Sequence, residues 1–300
     1  MNEKGYAKEV TPGPDRSVVV MTDSVAQVPT EIARELGITV LPFMVNIDNQ
    51  PYLDGIDLQP TELYRRMRLE KVLPTTTAAS LGQYQRAFEA CLQTGVPAVL
   101  CVTLSSKLSS GYNTATQAAA LVKNEFPDRQ IIVLDSQQAT ISEGFLVIAA
   151  ARAAASGKSL PEVQQAVEEA KRHSGFAATL ETLEYLARGG RIGKAAFLLG
   201  SLIKIKPIIT IKNGEVTPVA QVRGDNHALQ SIVDYVARKV GEPQDLHLAI
   251  MEADASEEAK RLEEMALQHL QPTEIFHTEF TPVMGVHTGP GLVGLGYYYK

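Results

Sequence analysis

AVLCVTLSSKLSSGYNTATQAAALVKNEFPDRQIIVLD, Ala98 to Asp135, decides the fold. AVLCVTL is an apolar run of strand length that ends in a polar turn, SSKLSSG. The small-residue stretch YNTATQAAALVKNEF follows as a helix, and QIIVLD is a second strand. Strand, helix and strand in this order argue for a parallel, doubly wound sheet.

The same rhythm extends in both directions. Upstream, SVVVMTDS (Ser17–Ser24) is a buried strand ending in a polar turn. PTEIARELG is a helix with a glycine stop, and ITVLPFMVNI a second strand. YLDGIDL is expected to be a hairpin around Asp54-Gly55. PTELYRRMRLE is an amphipathic helix with Pro60 near its start. LPTTTAAS is a polar loop, and a helix runs from about Ser80 to Leu92. Downstream of DSQQAT come the Ala-rich helix of FLVIAAARAAASG and the helix LPEVQQAVEEAKRHS. In such sheets ligands bind beyond the C-terminal strand ends. The turns at 22–24, 104–111 and 135–140 therefore share one rim.

From Ser174 the texture changes. KPIITIKNGEVTPVAQV is an antiparallel hairpin through Asn213-Gly214. Helix, strand (DLHLAIMEA), helix and strand follow. The expected architecture is two α/β domains. An N-terminal α/β domain spans 17–173 and an α+β domain spans 174–300. Residues 1–16, rich in Pro, Gly and charge, are expected to form a flexible tail.

Composition narrows the function. With 45% apolar and 21% charged residues, the chain can bury a substantial core. A net charge of −6 and the absence of Trp argue against a nucleic-acid protein. The two cysteines, Cys91 and Cys101, sit in apolar contexts as buried thiols of a reducing compartment. The six histidines show no metal-ligand spacing. No apolar run is long enough to span a membrane, and the N-terminus lacks the apolar core of a signal peptide. A cytoplasmic protein without stable membrane insertion, metal or cofactor is expected.

Four segments carry candidate chemistry. LARGGRIGKAAFLLG fails as a phosphate loop, because Arg188 stands where the first glycine belongs and Ala195 follows Lys194. It keeps a glycine pair, where backbone can approach a neighbour closely, and Arg191, which can fork onto an oxyanion. From Arg188 to Lys212 there are six bases and no acid, and Arg223 follows. Arg191, Lys194 and Arg223 are candidates for a face that docks an acidic partner. In TLSSKLSSGYNTA, Ser109 or Ser110 can cap a helix whose free amides favour anions. PTTTAASLGQY offers a hydroxyl cluster at a cleft mouth. VMGVHTGPGLVG places His287 among glycines, Gly285, Gly289 and Gly291, that leave backbone open to a ligand. On the residues alone three readings stand. They are a serine hydrolase or acyltransferase using Ser109 and His287, a small-phosphate binder at Arg191, and a site where His287 is a hydrogen-bond donor to an anion.

Taken together, TDSVAQVP, LPTTTAAS, LSSKLSSGYNTA, DSQQATISEG, LEYLARGGRIGK, IKPIITIKNGEV and GVHTGPG resemble, in order, the motifs of the DegV family of fatty-acid-binding proteins. The resemblance covers Ser17 to the end. It implies two α/β domains with a long-chain fatty acid in a cleft between them. It also implies that Thr76, Ser109 and His287 hold the carboxylate, with Thr77, Ser110, Gly111, Thr288 and Gly289 in support. A non-enzymatic carrier is implied, presenting its lipid to a separate fatty acid kinase that makes acyl phosphate. Two loops depart from the family pattern. TTTAAS stands for a TSQPS-like loop, and LSSGY for an LSGTY-like one.

Overall fold

The computed structural model describes residues 16–199 and 205–300. Of the expected tail, residues 1–15 lie outside the described residues. Strand β1 (Val18–Asp23) is buried along its whole length. A 3-10 turn (Ser24–Ala26) and helix α1 (Thr30–Glu35) lead to β2 (Thr39–Leu41), which runs parallel to β1. The expected single strand ITVLPFMVNI is broken there. Pro42 cannot donate to a ladder, and β3 (Met44–Ile47) starts a different sheet.

β4 (Gln50–Leu53) folds back on β3 through Asp48 and Asn49, at φ 50° and 65°. The hairpin thus lies one step before the expected Asp54-Gly55. Asp and Asn tolerate the left-handed conformation that a tight turn needs. Helix α2 (Pro60–Leu69) follows, and then β5 (Thr75–Thr77). The stretch expected as a polar loop is therefore in part a strand. It pairs antiparallel with β3, with Val45 opposite Thr76, and completes a three-stranded sheet ordered β4-β3-β5.

α3 (Leu81–Gln93) starts at a capping box between Ser80 and Gln83. β6 (Ala98–Thr103), α4 (Gly111–Glu125) and β7 (Gln130–Asp135) complete an all-parallel sheet ordered β2-β1-β6-β7. This is the doubly wound sheet that Ala98–Asp135 foretells.

Helices α5 (Ile141–Ala155) and α6 (Leu160–Arg172) come next. β8 (Ser174–Thr179), α7 (Glu184–Arg188), a 3-10 helix (Gly193–Leu198) and the hairpin of β9 (Lys206–Lys212) and β10 (Glu215–Val222) follow. The hairpin turns at Asn213-Gly214, both at positive φ, as the sequence indicates. Then come α8 (Asp225–Val240), β11 (Leu246–Ala253), α9 (Ser256–His269), β12 (Glu274–Glu279), α10 (Pro282–Thr288) and β13 (Leu292–Tyr299). These strands form a mixed sheet ordered β10-β9-β8-β13-β11-β12, in which only β11 and β12 pair in parallel.

Five layers result. α3 and α4 cover the outside of the parallel sheet, and α8 and α9 the outside of the mixed one. Between the sheets lie α5 and α6, and α5 touches β1, β6, β8 and β13. A helix apolar all round belongs in such a place. The alanines of α5 let the sheets close in, so one core runs through both halves. Among the described residues no helix is long and apolar enough to cross a membrane.

Gly144 sets how close α5 comes to the 3-10 turn after β1. A Cβ there would lie 2.4 Å from the Ala26 carbonyl oxygen. Alanine favours a helix by about 1 kcal/mol over glycine, yet Gly144→Ala is expected to destabilise the protein by about 1–3 kcal/mol through overpacking. Thermal unfolding of the variant checks this.

Candidate functional site

The C-terminal ends of β1, β6 and β7 supply three turns that lock together. The Asp23 carboxylate accepts Val25 N–H at 3.1 Å and Leu104 N–H at 2.9 Å. Ser106 donates its hydroxyl to Asp135 at 2.6 Å. Ser105, fully buried, donates to the Gly214 carbonyl at 2.9 Å and ties the β9–β10 hairpin to this rim. Burial pushes the Asp23 carboxyl up to about 7, against the lowering effect of its two amide bonds.

Above the rim, between the sheets, lies a cavity of about 240 Å³. Its walls are mostly apolar. Phe43, Leu104 and Ala139 come from the rim, Phe176 and Ile209 from the mixed sheet, and Phe280 and Leu292 from the ends of β12 and β13. Thr76, Ser109, Arg191 and His287 are among its polar lining residues, and Thr76, His287 and Arg191 lie close together there.

Each arrives by a local rule. In β5 the side chains alternate, so Thr75 and Thr77 are exposed and Thr76 points inward. Ser109 precedes α4, and its Oγ accepts the Gly111 N–H at 3.1 Å. That bond leaves the hydroxyl proton free to donate. Ser110 occupies the cap position and lines the cavity, but its side chain makes no capping bond. His287 stands in the last turn of α10. The glycine-rich stretch expected as an open turn is thus a short helix. Its glycines are occupied by neighbours rather than left to a ligand. A Cβ at Gly285 would meet the Tyr64 ring at 2.7 Å, and one at Gly289 the Tyr185 ring at 2.2 Å.

Thr76 Oγ1 and His287 Nε2 are hydrogen-bonded at 2.8 Å. His287 Nδ1 is buried and has no partner among the described residues. Burial, and secondarily the charge of Arg191, lowers the imidazole to about 4. The ring is therefore neutral near pH 7 and carries one N–H. A buried N–H without an acceptor costs more than an idle lone pair. We accordingly assign the proton to Nε2, where it is donated to Thr76. The Thr76 hydroxyl proton then faces the cavity.

Gly189 makes this placement feasible. A Cβ on it would lie 2.4 Å from His287 Nδ1. Its backbone is ordinary right-handed helix, at φ −72°, so the requirement is space and not conformation. The glycine pair marked in the sequence for close approach finds its neighbour here.

Arg191, expected on a docking face, turns inward instead. Its Nε donates to the Leu108 carbonyl at 3.0 Å, and a terminal nitrogen to the Gly189 carbonyl at 2.5 Å. No carboxylate pairs with it among the described residues. Lys194 and Arg223 are exposed, and Lys194 lies 4.0 Å from Glu215. Of the basic tract, Lys204 is outside the described residues. Among the supporting candidates, Thr77 and Thr288 line the cavity, and Gly111 and Gly289 do not. A second cavity, about 300 Å³, opens on the far side of Thr76, Arg191 and His287 and includes Tyr185 and Arg188.

A serine nucleophile would need the imidazole on its own oxygen. Here Nε2 is bonded to Thr76, and Ser109 is held by a backbone amide. Among the described residues no group of three His, Cys, Asp or Glu side chains could hold a metal. Sequence reasoning missed Gly189 as the partner of His287. It also missed Asp54, which is buried beneath the site and read as a turn residue.

The DegV family model matches residues 17–300. A DegV domain-containing protein of Clostridium acetobutylicum is 32% identical over 282 residues, covering 94% of this chain and 98% of its own. The solved structure of a DegV family protein from Thermus thermophilus, described for its fatty acid binding, is 30% identical. It superposes with a TM-score of 0.88 over 95% of this chain and 100% of that one. A stearic acid-binding protein from Eubacterium ventriosum is 27% identical, with a TM-score of 0.84 over 94% and 98%.

Two outcomes follow from the geometry. Gly189→Ala should push the imidazole off Thr76 and cost about 1–3 kcal/mol of stability, read as a lower melting temperature and a displaced His287 ring. Protonation of His287 opposes folding, because its folded value lies below the ordinary imidazole value of 6.5. Stability conferred by this group is present above about pH 6.5 and lost toward pH 4. Relative to His287→Gln, the wild type should lose about 3 kcal/mol between pH 7.5 and 4, measured by denaturant unfolding. Taking the difference removes the contributions of other titrating groups.

Proposed function

The chain belongs to the DegV family, and we propose that it holds a long-chain fatty acid in the cavity between its sheets and presents it to a fatty acid kinase. The observation that carries this reading is a mostly apolar cavity that also holds the bonded Thr76–His287 pair with Arg191 beside it. Such a site suits a ligand with one anionic end and a long apolar body.

The carboxylate accepts from Thr76 and Ser109, and His287 acts through Thr76. The imidazole donates to the threonine oxygen and aims its hydroxyl proton at the ligand. The positive charge of Arg191, close by and without a carboxylate partner among the described residues, favours the ionised head. Burying a tail of about 16 carbons yields roughly 12 kcal/mol of gross gain. Each hydrogen bond to the charged head adds about 1.5–3 kcal/mol. The tail therefore sets affinity, and the hydroxyls set depth and orientation.

The outer cavity shares Thr76, Arg191 and His287 with the inner one. A head group held there lies against a wall reachable from outside, where a kinase can transfer a phosphoryl group. Lys194 and Arg223 remain exposed for docking an acidic partner.

Mass spectrometry of lipid extracted from the purified protein tests the reading. Long-chain fatty acids should be recovered in near-stoichiometric amount, and their absence after delipidation and reloading would refute it. Thr76→Ala and Ser109→Ala should each weaken fatty acid binding by about 1.5–3 kcal/mol. Ile209→Asp, which puts a charge in the apolar wall, should abolish it.

A further inference from the structure

We infer that Asp54 is a positioning residue for the head-group site, fixing where α10 sets His287 against Thr76. The inference rests on the lipid reading proposed above.

Asp54 is 4% exposed and lies in the turn after β4. One carboxylate oxygen accepts the Val283 N–H at 2.9 Å, and the other accepts the Ser24 hydroxyl at 2.6 Å. Ser24 Oγ in turn accepts the Phe43 N–H at 3.2 Å. One side chain thus joins the turn after β1, the start of β3 and the first turn of α10.

Among the described residues, Asp54 is the side chain that caps the first turn of α10. Thr281, at the cap position, makes no side-chain capping bond. Pro282 has no N–H to offer. Val283 supplies the first amide of the helix that needs an acceptor, and Asp54 is that acceptor. Farther along, the Tyr64 ring abuts Gly285, and its hydroxyl donates to the Phe280 carbonyl at 3.1 Å. From Val283 to His287 the helix rises about 6 Å. A rigid segment that short passes a displacement at its start directly to the imidazole. The Thr76–His287 bond, at 2.8 Å, leaves little room for one, since such bonds fail beyond about 3.5 Å.

Asp54 is also poorly suited to a purely structural role. Burial pushes its carboxyl up to about 6, while Ser24, Val283 and, least, the Thr281 hydroxyl hold it down less strongly. Asp23 and Tyr64 are the titratable groups whose charges couple to it. A carboxyl whose folded value is raised stabilises the fold below its unfolded value, and that contribution is lost as pH rises through about 6. Near neutrality the ionised group is a burden on stability. Asparagine, nearly the same shape, removes that burden. It still offers one oxygen, but it presents an NH₂ where Ser24 needs an acceptor.

The test compares binding of palmitate with binding of hexadecanol, which has the tail without the carboxylate. Wild type, Asp54→Asn, His287→Ala and the double variant are measured, with thermal unfolding of each at pH 8. The wild type should prefer palmitate. Asp54→Asn should lose about tenfold in palmitate affinity, keep hexadecanol affinity within about a factor of two, and unfold no earlier than wild type. The double variant should bind palmitate no worse than His287→Ala alone, because Asp54 acts through that ring. Equal losses on both ligands, no loss, or additive losses in the double variant would overturn the inference and leave the lipid reading intact. Asp54→Ala, which removes both bonds, should exceed Asp54→Asn in palmitate loss, and a smaller loss would also count against it. A wild type indifferent to the carboxylate would sink the head-group reading, and this inference with it.

Discussion

The hydrogen bond between Thr76 and His287 joins residues 211 positions apart, one on a three-residue edge strand and the other on a seven-residue helix. Neither element is stable alone. The strand depends on its ladder with β3, and the helix depends on the side chains packed around it. The bond is accommodated by Gly189, which follows α7 and has no Cβ, by the Tyr64 ring beside Gly285, and by Asp54, which accepts the first free amide of α10. Most of the polar end of the cavity follows from this convergence.

Burial sets the charge state of the groups involved. The same desolvation that keeps the His287 ring neutral raises Asp23 to about 7 and Asp54 to about 6. Glu143, wholly buried at the start of α5, is raised as well, first by burial and then by the nearby Asp23. Asp23 on the parallel-sheet rim, Asp54 after β4 and Glu143 in α5 thus bind protons more tightly than usual, and the Arg191 guanidinium lines the cavity. An anion entering there meets hydroxyl donors and a cation, not carboxylates on the same wall. This arrangement rests in turn on α5, whose small side chains bring the two sheets near enough to share one core.

Much of the fold was legible in the sequence. The runs VVVMTD, AVLCVT and QIIVLD carry their strand identity in continuous apolar character, and Asn213-Gly214 carries its turn in backbone preference. Features decided by tertiary contact were not. Thr75–Thr77 is polar and short, and only pairing with β3 makes it a strand. A stretch with glycines at 285, 289 and 291 argues against a helix by propensity, yet α10 ends before the last two, and Gly285 within it leaves room for a tyrosine ring. Asp54-Gly55 is a stronger turn signal than Asp48-Asn49, and it misled because burial, invisible in the sequence, gave Asp54 other work. At the site the residue types were visible and their grouping was not. Thr76, Ser109 and His287 drew notice as hydroxyls and an imidazole near glycines, but the family resemblance grouped them. Nothing in the sequence indicated that the imidazole would meet the threonine, or that Arg191 would turn inward.

The central claim is that the Thr76–His287 pair marks the carboxylate end of a lipid cavity. A crystal structure of the protein loaded with palmitate tests it most directly. One carboxylate oxygen is expected about 3 Å from Thr76 Oγ1 and a carboxylate oxygen at similar distance from Ser109 Oγ, with the tail running between the sheets past Phe176 and Ile209. A carboxylate bound elsewhere, or a tail lying outside the cavity, would contradict it.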